Sequence, residues 1–430
     1  MIREALMQGV AGIAAAVEDD LARRLPEMNV ARRRGISQVV AAMLTVRSAN
    51  MVELGNVLPR EIASWEKRYQ FVERVLGNAK TDCDEVMASF AAQVAGALSA
   101  AGETLIVMMD QSHINDLNEV LMVSLGFRGR ALPVAWRVKS TQGGIGFEVQ
   151  EELLAAVKAM LPRDAAILLS ADRFYGTPAL VDWCVAAGWD YRIRLKSNLT
   201  LTHEGGEMAT GEVLGLAPEG LTGARLCGRS AATNIFALHE AGHLEPWIIA
   251  MAAKPGRVTC LDYGLRWGIE AMFSDYKSRG FGLMQSQIQR PDRLEKLILI
   301  MAIAMYWAVS CGLAEEAASN PNPTSKKTPA PSAHSSNEAC GSSKGTSLWP
   351  SGFRNSGEGG IYEGVDSTRS CPVYVAHQLS ACCCCWPVDP VGRRGMRLST
   401  SPQGLKAVRV EADHAAAFTS RPPVRAPSRS

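Results

Sequence analysis

The run TLIVMMDQS, residues 104–112, sets the reading of the whole chain. Residues 104–109 form a short, continuous apolar stretch that stops at Asp110. A stretch of that length and composition predicts a buried strand that delivers an acid at its end. Working outward, residues 120–127 and 131–138 are two more strand candidates, joined through Arg128-Gly129-Arg130 in the manner of a hairpin. A helix is predicted over 151–161. Residues 165–170 then repeat the first pattern, an apolar strand followed closely by Asp172. A helix over 177–187 has Pro178 in its first turn, and another strand is predicted over 191–196.

The order strand, strand, strand, helix, strand, helix, strand is that of an α/β fold with a ribonuclease-H-like mixed sheet and flanking helices. In that fold the first and fourth strands are neighbours. Asp110 and Asp172, far apart in sequence, would then meet at one edge of the sheet. An isolated Asp after a strand more often forms a turn or caps a helix. The functional case rests on two of them at equivalent strand ends.

Residues 1–100 read as an all-α N-terminal domain. Leu21, Leu25 and Met28 suggest one apolar stripe, a second helix is predicted near 36–46 after Gly35, and a third from Pro59 through Leu76. Residues 22–80 carry 11 Lys and Arg against 5 Asp and Glu, whereas the 430-residue chain has a net charge of only +2. A local basic excess can neutralise phosphates and release their counterions. It is equally the mark of a solvated helical surface. Short helices on a basic background suit a helix-turn-helix-like module.

Residues 101–315 form the second expected domain. Within it, 198–258 carries many Gly and Thr and several short alternating runs, which predicts a β-rich insertion. Helix is expected again from about Asp262 to Leu313. The 18 uncharged residues between Lys296 and Glu315 reach the length of a membrane span. A buried core helix is the simpler reading, because the segment follows a highly polar motif. Residues 316–430 form a tail. Among 317–360, 10 residues are Ser, 5 Pro and 6 Gly, a composition that predicts disorder. The rest of the tail has no clear periodicity and reads as disordered or degenerate.

The first residues are charged and lack an apolar leader, so no secretory signal is expected. The eleven cysteines show no disulfide framework and, apart from the run at Cys382–Cys385, no zinc-type pairing. A reducing cytoplasm fits best.

The motif that carries the chemistry is Tyr263-x2-Arg266-x3-Glu270-x6-Lys277. On an α-helix at about 100° per residue the other three side chains fall within about 60° of Tyr263. One narrow stripe would hold a phenol, two cations and a carboxylate, a set able to approach a phosphate and a metal together. Ile269, Met272 and Phe273 would face a core. Taken alone, Arg266 and Glu270 are also an ordinary i,i+4 ion pair.

These four residues resemble the Y-R-E-K signature of bacterial insertion-sequence DDE transposases of the IS-four type. The run MMDQS at 108–112 is similar to the first-Asp region of that family, ADRFYG at 171–176 to its second-Asp region, and RYQFVERVLGN at 68–78 to its N-terminal domain. The resemblance extends from about residue 20 to 313. It implies a DNA-cutting and DNA-joining enzyme in which Asp110, Asp172 and Glu270 bind two Mg2+ ions, with Mn2+ able to substitute. Tyr263, Arg266 and Lys277 are then expected to grip DNA phosphates. Arg173 follows the second acid in the family's manner and joins this DNA-binding set. The resemblance further implies a flipped base stacked on an aromatic ring, for which Trp247 is the candidate. Terminal inverted repeats and target DNA are the implied partners, the implied assembly is a dimer in the synaptic complex, and the implied place is the nucleoid, with no membrane.

Three other readings compete. His239-Glu240-Ala241-Gly242-His243 satisfies the zinc-protease pattern H-E-x-x-H, which needs a helix. Apparent β sequence before it, Gly242 within it and Pro246 after it favour a hairpin turn instead. A decayed transposase would bind DNA ends without cutting. A nuclease or resolvase on the same fold would cut without joining.

Overall fold

The computed structural model describes residues 2–62, 64–239 and 244–319. The tail from residue 320 on and residues 240–243 of the H-E-x-x-H run lie outside them; residues 316–319, read as tail, are helical. The strand that carries Asp110, β1 (Leu105–Asn115), pairs antiparallel with β2 (Asn118–Phe127), which pairs antiparallel with β3 (Arg130–Ser140). Arg128 (φ 49°) and Gly129 (φ 74°) both take the left-handed region, the two-residue turn whose twist matches flanking strands. Two parallel neighbours follow. β4 (Ile167–Ala171) pairs with β1, and β5 (Asp190–Arg194) pairs with β4. Between them run α6 (Phe147–Met160) and α7 (Pro178–Ala187). Thr177 caps α7 by accepting from the Leu180 amide, with Pro178 in the first turn where no amide is needed.

The β-rich segment is no separate body. Its strands β6 (Thr200–His203), β7 (Gly206–Ala209), β8 (Leu221–Leu226), β9 (Thr233–Leu238) and β10 (Trp247–Met251), with a short helix α8 (Val213–Leu216), continue the main sheet. β10 pairs antiparallel with β5, giving a ten-stranded sheet in the order β3-β2-β1-β4-β5-β10-β9-β8-β6-β7. Leu238 faces Trp247 in the antiparallel β9–β10 ladder. The zinc-protease pattern therefore falls between two paired strands.

Five helices precede the sheet: α1 (Ile2–Arg24), α2 (Val30–Val46), α3 (Met51–Asn56), α4 (Trp65–Leu76) and α5 (Cys83–Ala100). Their starts differ from expectation for local reasons. α2 begins six residues before the predicted start, because the Asn29 side chain accepts from the Ala31 and Arg32 amides. α4 begins at Trp65, not at Pro59. The Arg60 amide donates to the Leu58 carbonyl and the Ile62 amide to that of Arg60, tight turns that hold this stretch out of a helix.

The predicted long helix after Asp262 is also broken. A 3-10 turn (Asp262–Arg266) follows α9 (Arg257–Leu261) and leads into α10 (Trp267–Ser274). A π-helical turn (Asp275–Arg279) ends that helical run. Helix resumes at Pro291 as α11 (Pro291–Ser319), against β3, α2 and α5. Length and hydropathy would let α11 cross a membrane, yet 61% of its apolar window is buried inside the protein. Leu294 and residues 297–307 are all buried, so this apolar surface is spent on the core.

One apolar cluster runs from Val10 through the sheet to Trp307. A second, smaller cluster comprises Phe236, Leu238, Trp247, Ile249, Met251, Cys260 and Tyr263. It seats the segment carrying Tyr263 and Arg266 on β9 and β10. The added strands are thus a platform for the 3-10 turn that opens the motif.

Candidate active site

Parallel pairing between β1 and β4 ends with Met109 opposite Ala171. Asp110 and Asp172 are the next residues on each strand, side by side where strands lie about 4.8 Å apart. Asp110 does not end its strand. β2 continues to pair with β1, and Asp110 sits opposite Met122. β4 stops at Ala171, after which Asp172 leads into a 3-10 turn, Arg173–Tyr175. Gly176 closes that turn so near β5 that a Cβ there would lie 2.6 Å from the Arg194 carbonyl oxygen.

The motif segment supplies the other side. The 3-10 turn packs against β4 and β5, and α10 packs on β1 and β3. Arg266 is central. Its Nη1 donates to Asp110 Oδ2 (2.8 Å), its Nη2 to Glu270 Oε1 (2.5 Å) and its Nε to the Tyr263 hydroxyl (3.1 Å). The Tyr263 hydroxyl donates in turn to Asp172 Oδ1 (3.1 Å). One arginine and one tyrosine therefore tie all three acids together. The Arg266 side chain is 7% exposed and that of Glu270 54%.

The electrostatics follow from this packing. Burial pushes the Asp110 carboxyl up to about 6, against the pull of Arg266 and the Gln111 amide; Asp172 and Glu270 add repulsion in the same upward direction. Burial disfavours the charged Arg266, but Tyr263 and the three carboxylates outweigh it, and its pKa rises. Burial raises the Tyr263 phenol to about 12, so it is a neutral donor at physiological pH.

Other expected residues stand elsewhere. The uniform α-helical stripe holds only in part, because a 3-10 turn advances about 120° per residue and a π turn advances less than an α turn. Tyr263, Arg266 and Glu270 converge. Lys277 lies in the π turn, where burial lowers its pKa and Glu119 opposes that. Arg173 pairs with Glu245 (2.5 Å), which also receives Arg194 (3.3 Å), at the entry to β10. Trp247 is 7% exposed and makes edge contacts with Tyr263 and Trp267. The ring expected to stack a base is thus packed against the motif segment, and stacking would need it uncovered. It is a prop beneath Tyr263.

Sequence reading missed a network beside Asp110. Gln111 donates to Glu119 Oε2 and to the Gly143 carbonyl and accepts from the Ile145 amide, while Glu119 contacts His113 Nδ1 (2.8 Å). Tyr175 is 2% exposed, within the field of Asp110 and Asp172, and its pKa is raised, first by burial. Gln111 and His113 flank the first acid in sequence. Glu119 returns to them only through the β1–β2 hairpin.

Residues 148–307 match a family model described as the transposase DDE domain. No curated protein matches the chain. The match supports a transposase of the DDE class. It contains Asp172, Tyr263, Arg266, Glu270 and Lys277. Asp110 lies outside it, and joins the set through strand register and the Arg266 contact.

Proposed function

We propose that this protein is a DNA transposase of the insertion-sequence type, with the Y-R-E-K signature of the IS-four group, that cuts transposon ends and joins them to target DNA. The observation that carries this reading is the convergence of Asp110, Asp172 and Glu270 around one arginine, inside or beside the matched segment. The sheet order, with β1 beside β4, supports a ribonuclease-H-like core within residues 101–315.

The donor set is chemically suited to hard divalent ions. It offers three carboxylates and no soft ligand, and burial, with smaller repulsion from Asp172 and Glu270, holds the Asp110 pKa above its ordinary value. As the side chains stand, no group of three donors among the described residues is close enough to hold a metal ion. The Arg266 guanidinium sits between Asp110 and Glu270. Asp110, Asp172 and Glu270 are the residues that would hold two Mg2+ ions, or Mn2+. Such ions activate a nucleophile and stabilise the leaving oxygen in phosphodiester transfer.

The remaining residues act on the DNA. Arg266 is planar and permanently charged, suited to a phosphate. Tyr263, with its proton retained, is a hydrogen-bond donor to phosphate or to Asp172. Lys277 adds a second cation on the side of Glu119, and Arg173 a third near β10. The helices of residues 1–100 would hold the inverted-repeat ends. An open cleft of about 680 Å³ there carries Lys67 and Arg74, beside an Arg293 already paired with Glu73, and offers cations to a phosphate backbone. This reading places a dimeric synaptic complex on DNA, at the nucleoid in the cytoplasm.

The test is incubation with Mg2+ and a duplex bearing the element's own ends. Nicking and joining are expected, and Asp110→Ala and Glu270→Ala should abolish both. End binding without nicking would identify a decayed transposase. Nicking without joining would identify a nuclease.

A further inference from the structure

The Arg266 guanidinium lies between Asp110 and Glu270, with its third donor on Tyr263, whose hydroxyl reaches Asp172. Its side chain is 7% exposed. This is no ordinary surface i,i+4 pair. A planar, fork-shaped cation has been placed so that each of its edges meets one of the acids or the tyrosine relay. One oxygen of Asp110 and one of Glu270 are thus already engaged by a cation covalently part of the chain, while Asp172 accepts from Tyr263.

We propose that Arg266 is the built-in counter-cation of the metal-free site, and that it competes with divalent ions for Asp110 and Glu270. The inference rests on the reading of the three acids as a metal site. A divalent ion that takes Asp110 Oδ2 or Glu270 Oε1 must compete with the guanidinium for that oxygen, and an ion held by both acids displaces it. Once withdrawn, it is a buried charge without its partners, which is costly unless another anion receives it. A DNA phosphate is such an anion. Because coupling between two binding events is reciprocal, phosphate that engages Arg266 should tighten ion binding, and ions should tighten phosphate binding. The site is then loaded as a unit, with little ion held before DNA arrives.

Calorimetric titration of Mn2+ into the full chain without DNA tests this. Arg266→Gln removes the competitor and keeps a neutral hydrogen-bonding side chain. It should bind Mn2+ about tenfold or more tightly than the wild type, the scale expected for removing hydrogen bonds between charged groups. Arg266→Lys retains the charge but not the fork, and should fall between the two. It carries the comparison if the glutamine variant is poorly folded. A short duplex should raise the Mn2+ affinity of the wild type and raise that of Arg266→Gln much less. Equal or weaker Mn2+ binding by both Arg266 variants would overturn the proposal. Failure of the wild type and both variants to bind Mn2+, or undiminished binding by Asp110→Asn, would instead overturn the three-acid reading beneath it and the proposal with it.

Discussion

Asp110 and Asp172 occupy the register position immediately beyond Met109 and Ala171, the last bonded pair of two parallel strands. Two carboxylates are thereby held next to each other by backbone pairing, before any side-chain contact is considered. Their repulsion is offset locally by Arg266 and Tyr263.

Asp110 should make metal-free stability pH-dependent. Its folded pKa, about 6, lies above its ordinary value of 3.8, so the fold favours the protonated acid. That contribution is fully present below about 3.8 and is lost as pH rises through about 6. The scale is up to about 3 kcal/mol. Denaturant unfolding of wild type and Asp110→Asn without metal, from pH 4.5 to 7.5, measures it. The wild type should lose stability relative to the variant as pH rises from 4.5 through about 6, and the difference should then level off. A pH-independent difference would contradict the assignment.

Tyr263→Phe deletes the hydroxyl that joins Arg266 to Asp172 and keeps the ring against Trp247. The expected stability loss is modest, about 1 kcal/mol. Strand cleavage should fall by roughly ten- to a hundredfold, because the acids lose their common tether. Equal cleavage rates for variant and wild type would show that the hydroxyl is not used.

Trp247→Ala should act on folding first. The ring is buried in the small cluster beneath the motif helix. Removal should cost about 3–5 kcal/mol, read as a lowered unfolding midpoint. Trp247→Phe should recover most of it. Full stability with a specific defect in base distortion, seen by fluorescence of a 2-aminopurine duplex, would instead support the stacking role.

Gly176→Ala should lower stability, because its Cβ would meet the Arg194 carbonyl oxygen at 2.6 Å. Backbone must move to admit it, at about 1–3 kcal/mol. The turn that follows Asp172 would shift, so cleavage should fall more than the unfolding midpoint predicts. An unchanged midpoint and rate would show that the turn yields freely.

Much of this molecule is legible in its sequence because the governing forces are local or periodic. Apolar runs closed by an acid mark β1 and β4, Arg128-Gly129 marks a hairpin, and Thr177-Pro178 marks a helix start. Tyr263, Arg266 and Glu270 declare themselves by spacing. Tertiary structure decided the rest. β1 runs past Asp110 because β2, a separate stretch of chain, still has hydrogen bonds to share. The β-rich segment extends the main sheet because β5 has an edge to fill. Trp247 is a prop because α9 and the motif turn cover it, and burial is a property of neighbours. Arg266 meets an acid 156 residues away. Sequence alone put Arg266 and Glu270 four residues apart and raised the expectation that Asp110 and Asp172 join them. Only the folded chain, by bringing β1 under the motif helix, decided that the cation stands among the acids.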